Sequence, residues 1–189
     1  MDIGKQYYRR FLDGDDEGLT LIIKDYKDGL ILYINSFVDN IYIAEELMQE
    51  VFFRIAVKKP KFNGKSSFKT WLFAIGRNIA IDYLRENARA AVSSFDDMMH
   101  YLKDETDIEK IYLENERKII LYKALSALKP QYRQVLWLVY FEDFSNKEAA
   151  QVMHKSTRQI ENLIFRAKQA LRAILEKEGL AYEELRRDS

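Results

Sequence analysis

The sequence predicts an all-α protein of two small helical domains joined by a flexible acidic linker, the second ending in a helix-turn-helix. Three observations carry that expectation. Only seven glycines and two prolines, Pro60 and Pro130, interrupt 189 residues rich in Leu, Ile, Ala, Glu and Lys, the side chains that sit most comfortably in helices. Apolar positions recur every three or four residues over long stretches, and no alternating run reads as a strand. From Ala90 to about Asp107 that periodicity fades and acidic residues take over, dividing the chain in two.

Asp15-Asp16-Glu17 supplies the acidic start of a helix running to about Phe37, with Leu19, Ile22, Ile23, Tyr26, Leu30, Tyr33, Ile34 and Phe37 at helical spacing. A second helix follows from about Ile41 to Val57; Leu47, Val51 and Ile55 share its inner face, and Glu45, Glu46, Gln49 and Glu50 lie outside. Lys58 to Ser66 is a loop, since it holds Pro60 and the pair Asn63-Gly64. Ser66 or Ser67 then caps a helix extending to about Arg89.

Beyond the linker, helical pattern returns at Ile108 and continues to Leu128, where Lys129-Pro130 ends it. Pro130 suits the first turn of the next helix, Gln131 to Phe141. Ser145 caps a short helix ending near Met153, and Glu148, three residues on, completes a capping box. His154-Lys155 is a tight turn, His being among the few non-glycine residues that tolerate positive φ. Ser156 caps a long final helix to about Lys177.

Composition narrows the function. The chain has no Cys and two His, which argues against disulfides and against a bound metal. The segment MDIGKQYYRR lacks the apolar stretch of a signal peptide, and the longest apolar run, Val135 to Phe141, is far too short to cross a bilayer. A cytoplasmic protein without membrane insertion is expected. No glycine-rich phosphate loop, metal-ligand cluster or credible nucleophile is present, so neither an enzyme nor a cofactor is expected.

Net charge is zero, but its distribution is uneven. Residues 58–89 carry eight Lys/Arg against two acids, residues 119–175 nine against four, and the intervening 90–118 four against eight. Two basic blocks separated by an acidic one suggest two polyanion-binding surfaces on one chain; ordinary solvated helix faces are the alternative.

A short helix, a tight turn and a second helix with a basic exposed face outline a helix-turn-helix in the second half. Ala149, Ala150 and Val152 permit close crossing, and Ile160, Leu163, Ile164 and Ala167 form the buried stripe. Residues at the start of such a helix reach base edges, where Arg, Gln or Asn pair bidentately with guanine or adenine. Arg166, Lys168 and Arg172, further along, suit phosphates. A plain helical hairpin with solvated charges fits the same pattern.

Two stretches then carry a resemblance. AEELMQEVFFRIA, the loop KKPKFNGKSS and FKTWLFAIGRNIAIDYLREN resemble the conserved domain of sigma-70 family factors, in particular the short extracytoplasmic-function group. LSALKPQYRQVLWLVYFEDFSNKEAAQVMHKSTRQIENLIFRAKQALR resembles the same family's C-terminal domain. The likeness spans about residues 15–177, in order and with the expected linker length.

The resemblance implies a sigma factor that binds bacterial core RNA polymerase and directs promoter recognition and transcription initiation. It implies a region 2 domain over 1–90, a linker over 91–117, a region 4 domain over 118–178 and a tail over 179–189. Core polymerase would meet Glu46, Leu47, Gln49, Glu50 and Phe53, with Phe52 giving apolar contact or core. The −10 element would be read and melted by Phe62, Asn63, Gly64, Lys65, Ser66, Lys69, Ile75, Asn78 and Arg85. Within that set Phe62, Ile75 and Asn78 would form a pocket for an unstacked base, while Phe68 and Trp71 read as core. The −35 element would be read by Lys155, Ser156, Thr157, Arg158, Gln159, Asn162, Arg166 and Lys168. The acidic linker would thread the polymerase's RNA channel, the free chain would be a monomer, and an anti-sigma protein would restrain it. Three positions depart from the family pattern: Glu161 on the recognition helix, Ala56, and Gly76, whose mid-helix place costs about 1 kcal/mol against Ala. The rival is a DNA-binding regulator that acts without polymerase, which leaves Ala44 to Arg89 unexplained.

Overall fold

A computed structural model describes residues 2–93 and 116–177, and every regular element among them is a helix. The first packet comprises α1 (Ile3–Leu12), α2 (Glu17–Val38), α3 (Ile41–Lys58) and α4 (Phe68–Ser93). The second comprises α5 (Glu116–Ser126), α6 (Pro130–Leu136) with a π-helical turn over Trp137–Phe141, α7 (Asn146–Met153) and α8 (Thr157–Lys177). The expected helices are all found, and the terminal tail and most of the linker lie outside the described residues. So does the segment 108–115, where the helix now described from Glu116 was expected to begin. Two linker boundaries move inward: α4 continues to Ser93, and Glu116 and Arg117 are already helical.

Helix α1 was not anticipated. Asp2 caps it by accepting from the Lys5 N–H at 3.1 Å, and Tyr8 and Phe11 turn into the core. It packs on α2 across Gly18, where a Cβ would overlap the Tyr7 carbonyl and the Phe11 N–H. Gly76 has a similar explanation. A Cβ there would lie 2.8 Å from Leu30 Cδ1, so close crossing of α2 and α4 offsets the helix-propensity cost expected from sequence.

Caps decide the helix ends. Ser67, rather than Ser66, starts α4, accepting from the Thr70 N–H at 3.2 Å. Asn40 accepts from the Tyr42 and Ile43 N–H groups to start α3. The Ser145–Glu148 capping box of α7 is present in full, and His154 ends that helix at φ 53°. The helix expected over Gln131 to Phe141 ends differently: its last turn widens to a π turn in which Trp137 and Phe141 stack at 4.4 Å.

The sequence predicts two helical modules on a linker and leaves their relative orientation open. Here they close against each other, and their buried residues form one continuous apolar cluster. Phe144, four per cent exposed, meets Phe73 at 5.1 Å. Around this contact the seam is ionic. Arg133 donates to the Ser36 carbonyl at 3.0 and 3.2 Å, to Asp39 at 2.9 Å and to the Ser126 carbonyl at 3.2 Å. Lys69 Nζ reaches Glu142 Oε2 at 2.9 Å and the Glu142 carbonyl at 2.7 Å. Sequence periodicity does not show this, because Arg133 and Lys69 read as surface charges until a partner helix is placed beside them.

Candidate nucleic-acid interface

Three surfaces gather the residues singled out in the sequence. On α3, Glu46, Gln49, Phe53 and Val57 lie at helical spacing on one exposed stripe, with Glu50 beside them. Phe53 is 58% exposed and Val57 63%. Leu47 is half-buried against the core and Phe52 is buried, so Phe52 takes the core role of the two offered for it. Glu50 accepts from Arg54 Nε at 2.6 Å, one turn on. Val57 was missed in the sequence; its position eleven residues after Glu46 was the available signal.

The second surface is the loop between α3 and α4 with the α4 face that follows it. Gly64 sits at φ +70°, a conformation glycine adopts without penalty. Asn63 Oδ1 accepts from the Lys65 N–H at 3.0 Å, closing the tip. Asn63, Gly64 and Lys65 are exposed, and Ser66 is half-buried. The Phe62 ring is half-buried against Phe68 at 5.7 Å and Trp71 at 5.3 Å, so it both anchors the loop and presents an edge. Phe68 is fully buried and Trp71 packs against the core, as their spacing suggests.

Along α4, Trp71, Ile75, Asn78 and Arg85 share one side, with Asn78 and Arg85 exposed. Arg85 also leans on Asp82 at 3.5 Å. Lys69 does not join them. Nine residues before Asn78, it lies half a turn round the helix, and it is held by Glu142 between the Phe73 and Phe144 rings. In this arrangement Lys69 belongs to the seam between packets rather than to the face around Asn78.

The third surface is the start of α8. Thr157, Arg158, Asn162, Arg166 and Lys168 are exposed, and Lys155 is half-buried. Ser156 and Gln159 form a second capping box: the Ser156 N–H donates to Gln159 Oε1 at 2.8 Å, and the Gln159 N–H donates to Ser156 Oγ at 3.2 Å. Those two side chains therefore set the start of the helix, beside which Thr157, Arg158, Glu161 and Asn162 are exposed. Lys168 Nζ lies 4.7 Å over the Tyr140 ring. Phe165, 63% exposed, sits three residues past Asn162 in the middle of this face. Its exposure follows from the stripe read in the sequence, of which Ile160 and Ala167 are fully buried.

Glu148 touches both halves. Burial pushes its carboxyl up, and hydrogen bonds from Ser145, Ser67 and Thr70 outweigh that and hold it below the ordinary value. Among the described residues no group of His, Asp and Glu has metal-binding spacing. No described helix is long and apolar enough to cross a membrane.

Residues 22–90 match the family Sigma-70 region 2, and residues 118–171 match Sigma-70, region 4. The ECF RNA polymerase sigma factor SigM of Bacillus subtilis is 30% identical over 153 residues, 81% of this chain and 92% of its own length. The ECF RNA polymerase sigma-E factor of Escherichia coli K12 is 25% identical over 170 residues, 86% of this chain and 88% of its own. In fold the chain is similar to the sigma factor RpoE of Bartonella quintana, solved with the anti-sigma factor NepR. The TM-score is 0.68 at 22% identity, covering 83% of this chain and 96% of that one. It is similar also to CnrH, solved with the cytosolic domain of CnrY, with a TM-score of 0.62 at 21% identity, covering 93% and 96%. Two helical modules in this order, each exposing residues suited to nucleic acid, make the chain a member of the extracytoplasmic-function group of sigma-70 family RNA polymerase sigma factors, which recognise promoters and initiate transcription.

Proposed function

We propose a division of labour among the three surfaces. The α3 stripe docks on core RNA polymerase: Glu46, Gln49 and Glu50 meet basic groups around an apolar contact made by Phe53 and Val57. The loop and the α4 face read and melt the −10 element. Melting requires an unstacked base to be held by an apolar wall and by amide groups at its edge, which Phe62, Ile75 and Asn78 supply. The start of α8 reads the −35 element through Arg158 and Asn162. Phe165 is placed for apolar contact with a thymine methyl, and Arg166 with Lys168 for phosphates. Cargo and cofactor are absent from this scheme; the polymerase supplies the chemistry.

The observation that carries this reading is the exposure, on separate helices, of an acidic-apolar stripe and two faces bearing Arg and Asn. A DNA-binding regulator without polymerase has no use for the first. The similar sigma factor RpoE, solved with the anti-sigma factor NepR, supports a protein partner of that kind for this chain too, binding the free monomer.

The test is reconstitution with core polymerase. The chain is expected to co-elute with core enzyme and support run-off transcription, and Glu46→Lys combined with Gln49→Ala to abolish co-elution. Phe62→Ala and Asn78→Ala should leave co-elution intact and slow open-complex formation. Arg158→Ala should weaken −35 binding by about 1–3 kcal/mol. Strong duplex binding by the chain alone, with no response to core enzyme, would favour the regulator.

A further inference from the structure

Helix α1 lies outside the segment that matches region 2, which begins at residue 22, yet one side of it touches both ends of the loop between α3 and α4. At the near end, the Tyr8 hydroxyl donates to the Pro60 carbonyl at 2.7 Å, and Lys59 Nζ lies 4.7 Å over the Phe11 ring. At the far end, the Phe68 N–H, first in α4, donates to Asp2 Oδ2 at 2.7 Å. The same carboxylate caps α1 through its other oxygen. Gly4 lets the backbone of α1 lie against the Phe68 ring, where any Cβ would overlap it. Gly4, Tyr8 and Phe11 fall on one helical face.

Otherwise the span from Lys59 to Ser67 is held chiefly by the Phe62 ring against Phe68 and Trp71. It contains Pro60 and a positive-φ Gly64, and among the described residues its tip is closed by the single Asn63–Lys65 bond. A loop free to wander must be ordered each time it captures a base, and that ordering subtracts from affinity. Fixing both ends beforehand removes most of the cost.

We propose that α1 is a brace that presets this promoter-reading loop, with Tyr8 and Asp2 as positioning residues that act through Pro60 and Phe68. The inference rests on the −10 reading proposed above for the loop. Tyr8 suits the task chemically: its phenol is a hydrogen-bond donor throughout the neutral range, and burial pushes it up to about 12. Its ring also packs at 5.5 Å from Phe68 and 5.4 Å from Trp71, the two rings on which Phe62 rests.

The test uses the full chain assembled with core polymerase. Tyr8→Phe keeps the ring and removes one hydroxyl. Asp2→Ala removes both hydrogen bonds, and Asp2→Asn keeps one oxygen acceptor, enough for the Phe68 N–H or the Lys5 N–H but not for both. Binding is measured to a single-stranded −10 oligonucleotide and, separately, to a duplex carrying only the −35 element. Tyr8→Phe and Asp2→Ala are expected to bind the −10 strand about five- to tenfold more weakly. Asp2→Asn should fall between Asp2→Ala and the parent, and −35 binding and core affinity should not move. Hydrogen exchange reads the brace without DNA: the Phe68 amide should exchange faster in Asp2→Ala while amides in α8 are unchanged. Unchanged −10 binding in both Tyr8→Phe and Asp2→Ala would overturn the inference, as would equal losses at −10 and −35, which signal general destabilisation. If the parent chain itself ignores the −10 strand, the functional reading falls, and the exchange result alone still decides whether α1 holds the loop.

Discussion

Glu148 and Arg133 each join two helix ends across the seam. The Glu148 carboxylate accepts from the Ser145 N–H at 3.1 Å and Ser145 Oγ at 2.7 Å at the start of α7. It also accepts from Ser67 Oγ at 3.2 Å and Thr70 Oγ1 at 3.5 Å at the start of α4. Helix starts carry unpaired N–H groups and partial positive charge, so one carboxylate serves both. Arg133 does the converse, filling carbonyls at the ends of α2 and α5. Because the Glu148 carboxyl titrates below its ordinary value of 4.5 when the chain is folded, its contribution is fully present above that value. It is lost as pH falls through the lower, folded value. The stability difference between the parent and Glu148→Gln, followed by urea unfolding, should therefore be constant from neutral pH to about 5 and shrink below 4.5. Comparing the pair cancels the other carboxylates, including Asp2 at the same helix start.

At the scale of single elements, caps account for most of what the sequence foretells and much of what it hides. Ser145 with Glu148 is legible as a capping box because both residues are three apart and precede an apolar run. Ser145→Ala should cost about 1 kcal/mol of stability, read from the urea midpoint at unchanged slope. Ser156 with Gln159 has the same spacing, and in the free chain the Gln159 side chain turns back onto the helix start. Helix α1 escaped notice for a related reason. Asp2 is a sound cap, yet the helix has ten residues, no acidic group in its first turn, and Gly4 within it, so local propensity is too weak to declare it. It exists because Tyr8 and Phe11 are buried by α2 and α4.

For the whole molecule, the closed packing sets an expectation about size. A compact chain of this length has a radius of gyration of about 16 Å. Elements centred near −10 and −35 lie roughly 25 base pairs, or about 85 Å, apart along straight duplex. The closed form cannot lie on both, so the proposed reading of the two elements requires the packets to separate on a promoter. Small-angle scattering of the free chain should give a radius near the compact value, rising with salt as the ionic seam loosens. Gly29 offers a clean perturbation. A Cβ there would overlap the Glu142 carboxylate that holds Lys69, while Ala within α2 favours the helix. Gly29→Ala should thus raise the radius at low salt without lowering the helical circular dichroism. A radius matching the parent at every salt concentration would show that the seam does not depend on this pair.

The sequence alone determined the helices with strong periodicity, their caps at Ser145 and His154, the turn at Gly64, and the two modules in their order, because each of those depends on neighbours a few residues away. Tertiary structure decided which face each charge serves. Lys69 pairs with Glu142 at the seam, Arg133 is buried among helix-end carbonyls, Gly76 becomes a crossing point, and α1 becomes a helix gripping a loop more than fifty residues on. Those outcomes depend on what packs against a helix from distant parts of the chain, and helical spacing records that a face is turned inward without recording what it meets.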